Sequence, residues 1–410
     1  MRANQSPHKI AGAQIQADPM PVVVICEGMN LNGGVANVAW NQAIRLASKH
    51  PVLFLSDGFS EERLHSDSGV SCLKVKSPKF HFLRRYSHTP RMLGFILKAQ
   101  SIVQRSTSVG QPFVLICHSH PTAAIAGWWL KRWRQAFIIM ISHGDIFDRP
   151  PNSYDRYLTW FYKVMTPRAY RRADGIVAIS PHMADTMRRY GVHADKVHLI
   201  PNGIDPREIG VLENVVFRDD DYGPLKLLFV GRIEPIKGLD CLVAACEELD
   251  RRGIEFTLAI AGKGSSSYVD QLKQRIQRAG LQHRIEWIGS VPREKLFSLY
   301  SQHQILIVPS INDPCPLVVL ESMASGLPVV GSHVGGIPMM VEQGETGFTV
   351  PAEDPLALSN AISQLGQDRT LLAKMAANSV ERANLFSWER NVEGLSTMID
   401  LLGQTAAVKR

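Results

Sequence analysis

The stretch that decides the fold is Val308-Pro309-Ser310-Ile311-Asn312-Asp313-Pro314-Cys315-Pro316-Leu317-Val318-Val319-Leu320-Glu321-Ser322-Met323-Ala324-Ser325-Gly326-Leu327-Pro328-Val329-Val330. It leaves one strand-like apolar run, Ile305 to Val308, and enters another, Pro328 to Gly331. Between them lie a polar loop and a short helix, the repeating unit of a parallel α/β sheet. Two acids stand eight positions apart, Asp313 in the loop and Glu321 in the helix. Leu317, Leu320 and Ala324 recur at helical spacing and form the expected buried stripe. Glu321 follows Leu320 and faces elsewhere, toward the carboxyl ends of the strands, where open parallel sheets bind ligands. An ordinary surface Glu beside a loop Asp gives the same pattern, so this segment alone leaves both readings open.

The spacing Asp313-x7-Glu321, followed by Ser-Met-Ala-Ser-Gly-Leu-Pro-Val-Val over 322–330, resembles the signature of the retaining glycosyltransferases of family 4. Other segments match in order between residues 21 and 400. The resemblance implies the GT-B fold, two Rossmann-like doubly wound α/β domains facing across a cleft. It also implies that Glu321 holds the ribose hydroxyls of a nucleotide-sugar and that the acid at 313 lies by the transferred sugar. The family commonly has Glu there, and this chain has Asp313, one methylene shorter. Cys315-Pro316 stands where the family often has Phe-Gly. Pro316 has no N–H to offer, so the backbones of Cys315 and Leu317 are left to meet a sugar hydroxyl.

In the front half, Pro21 to Cys26 is an apolar run of strand length, followed by Glu27-Gly28-Met29-Asn30-Leu31-Asn32-Gly33-Gly34 and a helix with Val35, Val38, Ala39 and Leu46 on one stripe. Strand, Gly-rich loop and helix bring backbone N–H groups toward a phosphate. The spacing does not fit the dinucleotide fingerprint, which argues against NAD. The resemblance places Gly33 and Gly34 against the donor phosphate. Further on, Cys117-His118-Ser119-His120 and Ile141-Ser142-His143-Gly144 each close an apolar strand. Histidines there suit hydrogen bonding to sugar hydroxyls at neutral pH. Cys117, His118, His120 and His143 also have the chemistry of metal ligands, but no metal is expected. By resemblance His118 or His120 sits near the reacting sugar, with His118 favoured, and His120 and His143 face the acceptor.

The rear half begins with Leu225 to Val230, a strand ending in Gly231-Arg232-Ile233-Glu234-Pro235-Ile236-Lys237-Gly238. A forked guanidinium and a compact ammonium flanking a tight loop suit a diphosphate, though two solvated loop cations would look the same. The family uses this Arg and Lys on the leaving nucleotide diphosphate. Arg284 to Gly289 reads as a strand whose end frames the nucleotide base in the family, with Ile288 the expected contact.

Composition bounds the rest. A chain of 410 residues with 45% hydrophobic and 20% charged residues is globular and long enough for two domains. No apolar run reaches the length of a membrane span. Residues 1–20 lack the apolar core of a signal peptide and are expected as a disordered leader. Residues 21–208 form the expected acceptor-binding domain, 209–224 a linker, 225–385 the nucleotide-sugar domain, and 386–410 a helix returning to the front domain. The six cysteines show no zinc-finger spacing and read as reduced, buried thiols of a cytoplasmic protein. Net charge is +12 over residues 1–205 and −5 over 206–410. Lys74 to Tyr86 and Arg91 to Lys98 mix cations with aromatic and apolar residues. That mixture suits either a core helix with a basic outer face or contact with an anionic membrane surface; no nucleic-acid motif accompanies it.

The chemistry implied is transfer of a hexose-type sugar from a UDP- or GDP-sugar to a glycan or lipid-linked acceptor, as in polysaccharide or glycolipid biosynthesis. Arg232, Lys237, the Gly33-Gly34 amides and a helix N-terminus would carry the diphosphate charge without a metal or cofactor. His118, Asp313, Arg232 and Lys237 are the expected catalytic residues. A sugar-nucleotide epimerase of the same fold, or a nucleotide-sugar binder without activity, remains compatible with these residues.

Overall fold

The structure is a computed structural model, which describes residues 19–26, 34–56, 69–75, 101–103, 111–118, 136–144, 156–205 and 223–408. Gly33, His120, most of the leader and of the linker, and the cation–aromatic stretch beyond Val75 lie outside the described residues.

Two parallel sheets organise the chain. The first is made of β1 (Val22–Ile25), β2 (Val52–Ser56), β3 (Val70–Lys74), β4 (Phe113–His118), β5 (Ala136–Ser142), β6 (Gly175–Ala178) and β7 (Val197–Leu199), in spatial order 3-2-1-4-5-6-7. The second is made of β8 (Leu225–Val230), β9 (Phe256–Ala261), β10 (Ile285–Gly289), β11 (Ile305–Val308), β12 (Val329–Ser332) and β13 (Gly347–Val350), in order 10-9-8-11-12-13. Each order reverses beside its first strand, which opens a crevice at the carboxyl ends on either side of that strand. The expected pair of Rossmann-like domains is therefore present.

The strands are apolar on both faces because both faces are covered. All six residues of β4 are buried. In the second sheet Leu227, Phe229, Ile305 and Ile307 join one apolar layer, and Leu228, Leu306 and Val308 join the other. The helix Leu239–Arg251 buries Leu239, Leu242, Val243, Cys246 and Leu249, the positions that helical spacing selects. Strand β3 has no counterpart in the sequence reading. It takes up Lys74, the first residue of the cation–aromatic stretch. Its ladder to β2 runs from Val52↔Val70 to Ser56↔Lys74.

The chain crosses between the lobes twice, at neighbouring points. Ile204 N–H donates to Phe386 O at 2.8 Å, and Trp388 N–H donates to Ile204 O at 3.2 Å. The helix Trp388–Val408 then packs on the helix Gly34–Leu46 of the front lobe. Gln42 Nε2 donates to Asn391 Oδ1 at 2.8 Å, and Asn391 Nδ2 donates to Pro201 O at 2.6 Å. Arg45 pairs with Asp205 at 3.2 Å, and its guanidinium lies 5.8 Å over the Trp388 ring. A polar cluster thus ties the returning helix to the front lobe beside the crossing. Among the described residues no helix is long and apolar enough to cross a membrane.

Candidate active site

The loop after β11 and the helix Leu317–Ala324 carry the two acids. The helix begins at Leu317 with Pro316 as its N-cap. Its first residue therefore sits at the loop rim, and Leu317 is only half-buried, against the expectation of a core position. The buried run is instead Val319 to Ala324, with Glu321 included at 5% exposure. A helix this short, wedged between strands and the helix Arg369–Ala383, is covered on nearly every side.

Asp313 is 8% exposed, and its Oδ2 receives Lys237 Nζ at 2.5 Å and the Ser310 hydroxyl at 3.4 Å. The first strand-end loop and the acid loop therefore meet in an ion pair that is mostly shielded from water. Glycines let them meet. Gly238 has φ +72°, and a Cβ there would land on the carbonyl oxygen of Pro309. Gly335, at φ +57°, stands in the same way against the carbonyl oxygen of Asp313. Arg232 is not brought into this pair. Its guanidinium is 68% exposed and bonds Glu234 at 2.6 Å.

Glu321 belongs to a second cluster. The Tyr300 hydroxyl donates to Glu321 Oε2 at 3.1 Å, and Arg293 Nη1 lies 3.6 Å from Oε1. Burial raises the Glu321 pKa, while the Arg293 charge and the Tyr300 hydrogen bond oppose the rise. Ile288 lies half-buried on β10 and packs against the core. Cys315 is 7% exposed, and burial pushes its thiol up to about 12, so it is a neutral apolar group here.

In the front lobe His118 is the last residue of β4 and 1% exposed. Its Nδ1 lies 3.0 Å from His143 Nε2, and the rings stack at 5.2 Å. Burial holds His118 well below the usual imidazole range, with His143 adding to the effect, and burial brings His143 down to about 4. At neutral pH both rings are uncharged, one donating to the other. Among the described residues His118 Nε2 is buried without a partner, an orphaned polar atom of the kind a ligand hydroxyl satisfies. Gly34 opens the helix Gly34–Leu46, and a Cβ there would meet nothing within 4 Å among the described residues.

The lobes touch at this site. Asn202 Nδ2, from the turn after β7, donates to the carbonyl of Cys315 at 3.1 Å. Gly144, next to His143, faces Pro314 closely enough that a Cβ would lie 3.7 Å from its ring. The histidine pair, the Asp313 loop and the crossing are thus connected through two contacts.

Two family models match the chain: residues 32–208 fit glycosyltransferase family 4, and residues 218–382 fit the glycosyl transferases group 1. The chain belongs to this glycosyltransferase family. It is therefore a transferase. Among the relatives of this glycosyltransferase, the D-inositol 3-phosphate glycosyltransferase of Corynebacterium glutamicum is 28% identical over 69% of this chain and 71% of its own length. That of Corynebacterium diphtheriae is 32% identical, over 55% of this chain and 56% of its own. Sucrose-phosphate synthase from Thermosynechococcus elongatus superposes with a TM-score of 0.78 at 21% identity, over 94% of this chain and 100% of that one. Anabaena HepE in complex with UDP-glucose superposes at 0.71 and 18% identity, over 95% and 100%. These structures share the GT-B fold.

Sequence reasoning did not single out Asn202, Tyr300 or Arg293. Asn202 stood in the Pro-Asn-Gly turn, whose turn chemistry concealed its side-chain bond. Tyr300 lies in the helix Arg293–Ser301, whose apolar residues are not gathered on one face. An aromatic residue there carried no sign of a polar partner.

Proposed function

We propose that this glycosyltransferase moves a hexose-type sugar from a UDP- or GDP-sugar to a hydroxyl of a glycan or lipid-linked acceptor, with retention at the anomeric carbon. The observation that carries the reading is the Lys237–Asp313 ion pair at the carboxyl edge of the second sheet, with Glu321 buried eight residues on. Lys237 and Asp313 meet between the loops that follow β8 and β11, and the crevice at such strand ends is where sheets of this kind take nucleotides. The relative HepE, whose solved structure holds UDP-glucose, supports a nucleotide-sugar donor.

In this reading Glu321 accepts from the ribose hydroxyls, and the base lies by the Ile288 backbone. Lys237, Arg232 and the Gly33-Gly34 amides take the diphosphate. Lys237 is shared: the diphosphate draws on an ammonium that Asp313 already holds, so donor binding loosens the pair and frees Asp313 toward the sugar. The Cys315 and Leu317 amides and His118 Nε2 face sugar hydroxyls, and His120 and His143 border the acceptor. The anomeric C–O bond to phosphate breaks, and the acceptor oxygen bonds the same carbon from the same face. The acceptor proton passes to the departing phosphate oxygen. Charge on the diphosphate is met by fixed cations and backbone dipoles, and no metal is invoked.

For the acceptor, the basic front half favours a lipid-linked glycan on an anionic membrane face, with the protein peripheral on the cytoplasmic side. The names of the corynebacterial relatives favour a second reading, a phosphorylated polyol such as D-inositol 3-phosphate. A donor panel read by melting temperature, followed by turnover with each acceptor class and NMR of the product anomer, tests the proposal. No stabilisation by any nucleotide-sugar, or an inverted product, refutes it. Retention of the protein in solution with anionic liposomes at low salt refutes the membrane arm.

A further inference from the structure

Glu321 is gripped as well as buried. Both groups that reach its carboxylate come from another helix, Arg293–Ser301. Tyr300 is fully buried and donates to Oε2 at 3.1 Å. Arg293 Nη1 stands 3.6 Å from Oε1, within ion-pair range but beyond a hydrogen bond. The two oxygens are thereby made unequal: Oε2 is occupied by a phenol, and Oε1 lies beside a positive charge with no hydrogen bond among the described residues. The helix that carries Glu321 also packs on β11, β12, the helix Ile337–Met340 and the helix Arg369–Ala383. Among the described residues, Arg293 and Tyr300 are the ionisable groups that act on Glu321. Tyr300 is itself driven well above the phenol range by burial, then by the Glu321 charge and hydrogen bond. It therefore stays protonated as a permanent donor.

We propose that Tyr300 and Arg293 are positioning residues of the donor site, which fix the Glu321 carboxylate so that Oε1 is presented to the vicinal diol of a nucleotide ribose. The inference rests on the reading of Glu321 as the ribose acid. A carboxylate free to rotate loses orientation in binding a diol, whereas one pinned through Oε2 does not. Arg293 offsets the cost of keeping that carboxylate charged while buried. Removing either group makes protonation of Glu321 easier, and a protonated Glu321 is a poorer diol acceptor. Affinity for the nucleotide then falls off at a higher pH than in the unaltered protein.

The experiment is titration calorimetry with UDP and GDP alone, on the full chain, at pH values from 5 to 8. The proteins are the unaltered chain and its Tyr300→Phe, Arg293→Met, Arg293→Lys and Glu321→Ala variants. The nucleotide that binds the unaltered chain is expected to bind Tyr300→Phe about tenfold more weakly at pH 7, with the acid limb of the affinity profile moved upward. Arg293→Met follows the same direction, and Arg293→Lys restores part of the loss. Donor KM rises, while kcat at saturating donor stays within about twofold. A folded Tyr300→Phe and Arg293→Met whose affinity and pH profile match the unaltered chain, beside a weakened Glu321→Ala, overturn the inference alone. If Tyr300→Phe does not fold, the partly exposed Arg293 carries the test. A chain that binds neither nucleotide, or an undiminished Glu321→Ala, overturns the donor-site reading and this inference with it.

Discussion

The substitution Gly203→Ala separates donor binding from transfer. Gly203 lies at the crossing between the lobes, and its φ is not in the left-handed region, so alanine adds no backbone strain of that kind. What it adds is a collision. The new Cβ would sit 2.7 Å from both Trp388 Cα and Trp388 N, and 2.8 Å from the indole ring. Carbon atoms settle at about 3.5–4.0 Å, so the outgoing and returning segments must part by about 1 Å. Overpacking of this kind costs about 1–3 kcal/mol, a melting-temperature drop of several degrees for a lobe this size. The functional effect is of similar size in free energy, but it falls on the reaction rate. Lys237, Asp313, Glu321 and Ile288 all lie in the rear lobe, and His118 and His143 lie in the front one. A shift of about 1 Å between reacting groups costs on the order of 10²-fold in rate, or about 2.7 kcal/mol of barrier. The assay pairs nucleotide affinity by calorimetry with kcat at saturating donor and acceptor. The expected result is kcat down by about two orders of magnitude, with affinity reduced far less because the Gly33-Gly34 amides are the front lobe's share of the nucleotide contacts. Unchanged kcat refutes the reasoning, as does a loss of affinity equal to the loss of rate.

Three further outcomes are expected. Lys237→Ala leaves the Asp313 carboxylate, 8% exposed, with Ser310 as its remaining side-chain partner; chemical denaturation should show a loss of about 3 kcal/mol, most of it recovered when Asp313→Asn is added, and a double variant no more stable than the single one contradicts this. Asn202→Asp should raise donor KM and lower stability more than Asn202→Ala does, because a carboxylate cannot donate to the Cys315 carbonyl and is itself buried; equal effects in steady-state kinetics and melting exclude the bond as the cause. Burial holds His118 and His143 below the ordinary imidazole value of 6.5, His143 at about 4. Their contribution to stability is whole above that ordinary value and is lost as pH falls toward 4, since the unfolded chain then binds protons the folded chain refuses. Urea midpoints measured from pH 7 down to 5 should fall less steeply in a His118→Gln, His143→Gln variant than in the unaltered chain, and parallel slopes refute the assignment.

The architecture was legible because buried parallel strands leave little choice of residue. Val22 to Ile25, Phe113 to His118 and Leu225 to Val230 are apolar throughout, or nearly so, and a helical period comes soon after the first and the third. Strand β3 was missed because Val70-Ser71-Cys72-Leu73-Lys74 lies at a sheet edge, where one side needs no covering strand and polar residues intrude. At the site, Asp313, Lys237, His118 and His143 stood out as polar residues closing apolar strands. Their pairing did not, because Lys237 and Asp313 are 76 positions apart and meet only through the sheet order. The helix periodicity misjudged Leu317, since a stripe assumes one buried face and this helix has several. Tyr300 was hidden for another reason: on a partly exposed helix whose apolar residues do not gather on one face, a buried phenol and a buried phenyl ring leave the same trace.

The loop from Pro309 to Pro316 gathers these constraints, and most of them act on its backbone. Gly238 and Gly335 admit it by lacking side chains, Gly336 does the same against the carbonyl of Pro314, and Asn202 holds the carbonyl of Cys315 from the other lobe. Side-chain identity inside the loop is therefore less constrained than its path. That explains how Asp313 and Cys315-Pro316 can stand where the family more often has Glu and Phe-Gly without displacing the Lys237 contact. It also means that the front lobe is tied to this loop through one carbonyl. A front lobe that moves carries Asn202 with it, and Asn202 carries the peptide two residues beyond Asp313. Asp313, paired with Lys237 of the rear lobe, and the Cys315 carbonyl, held by Asn202 of the front lobe, are thus on one short, caged segment.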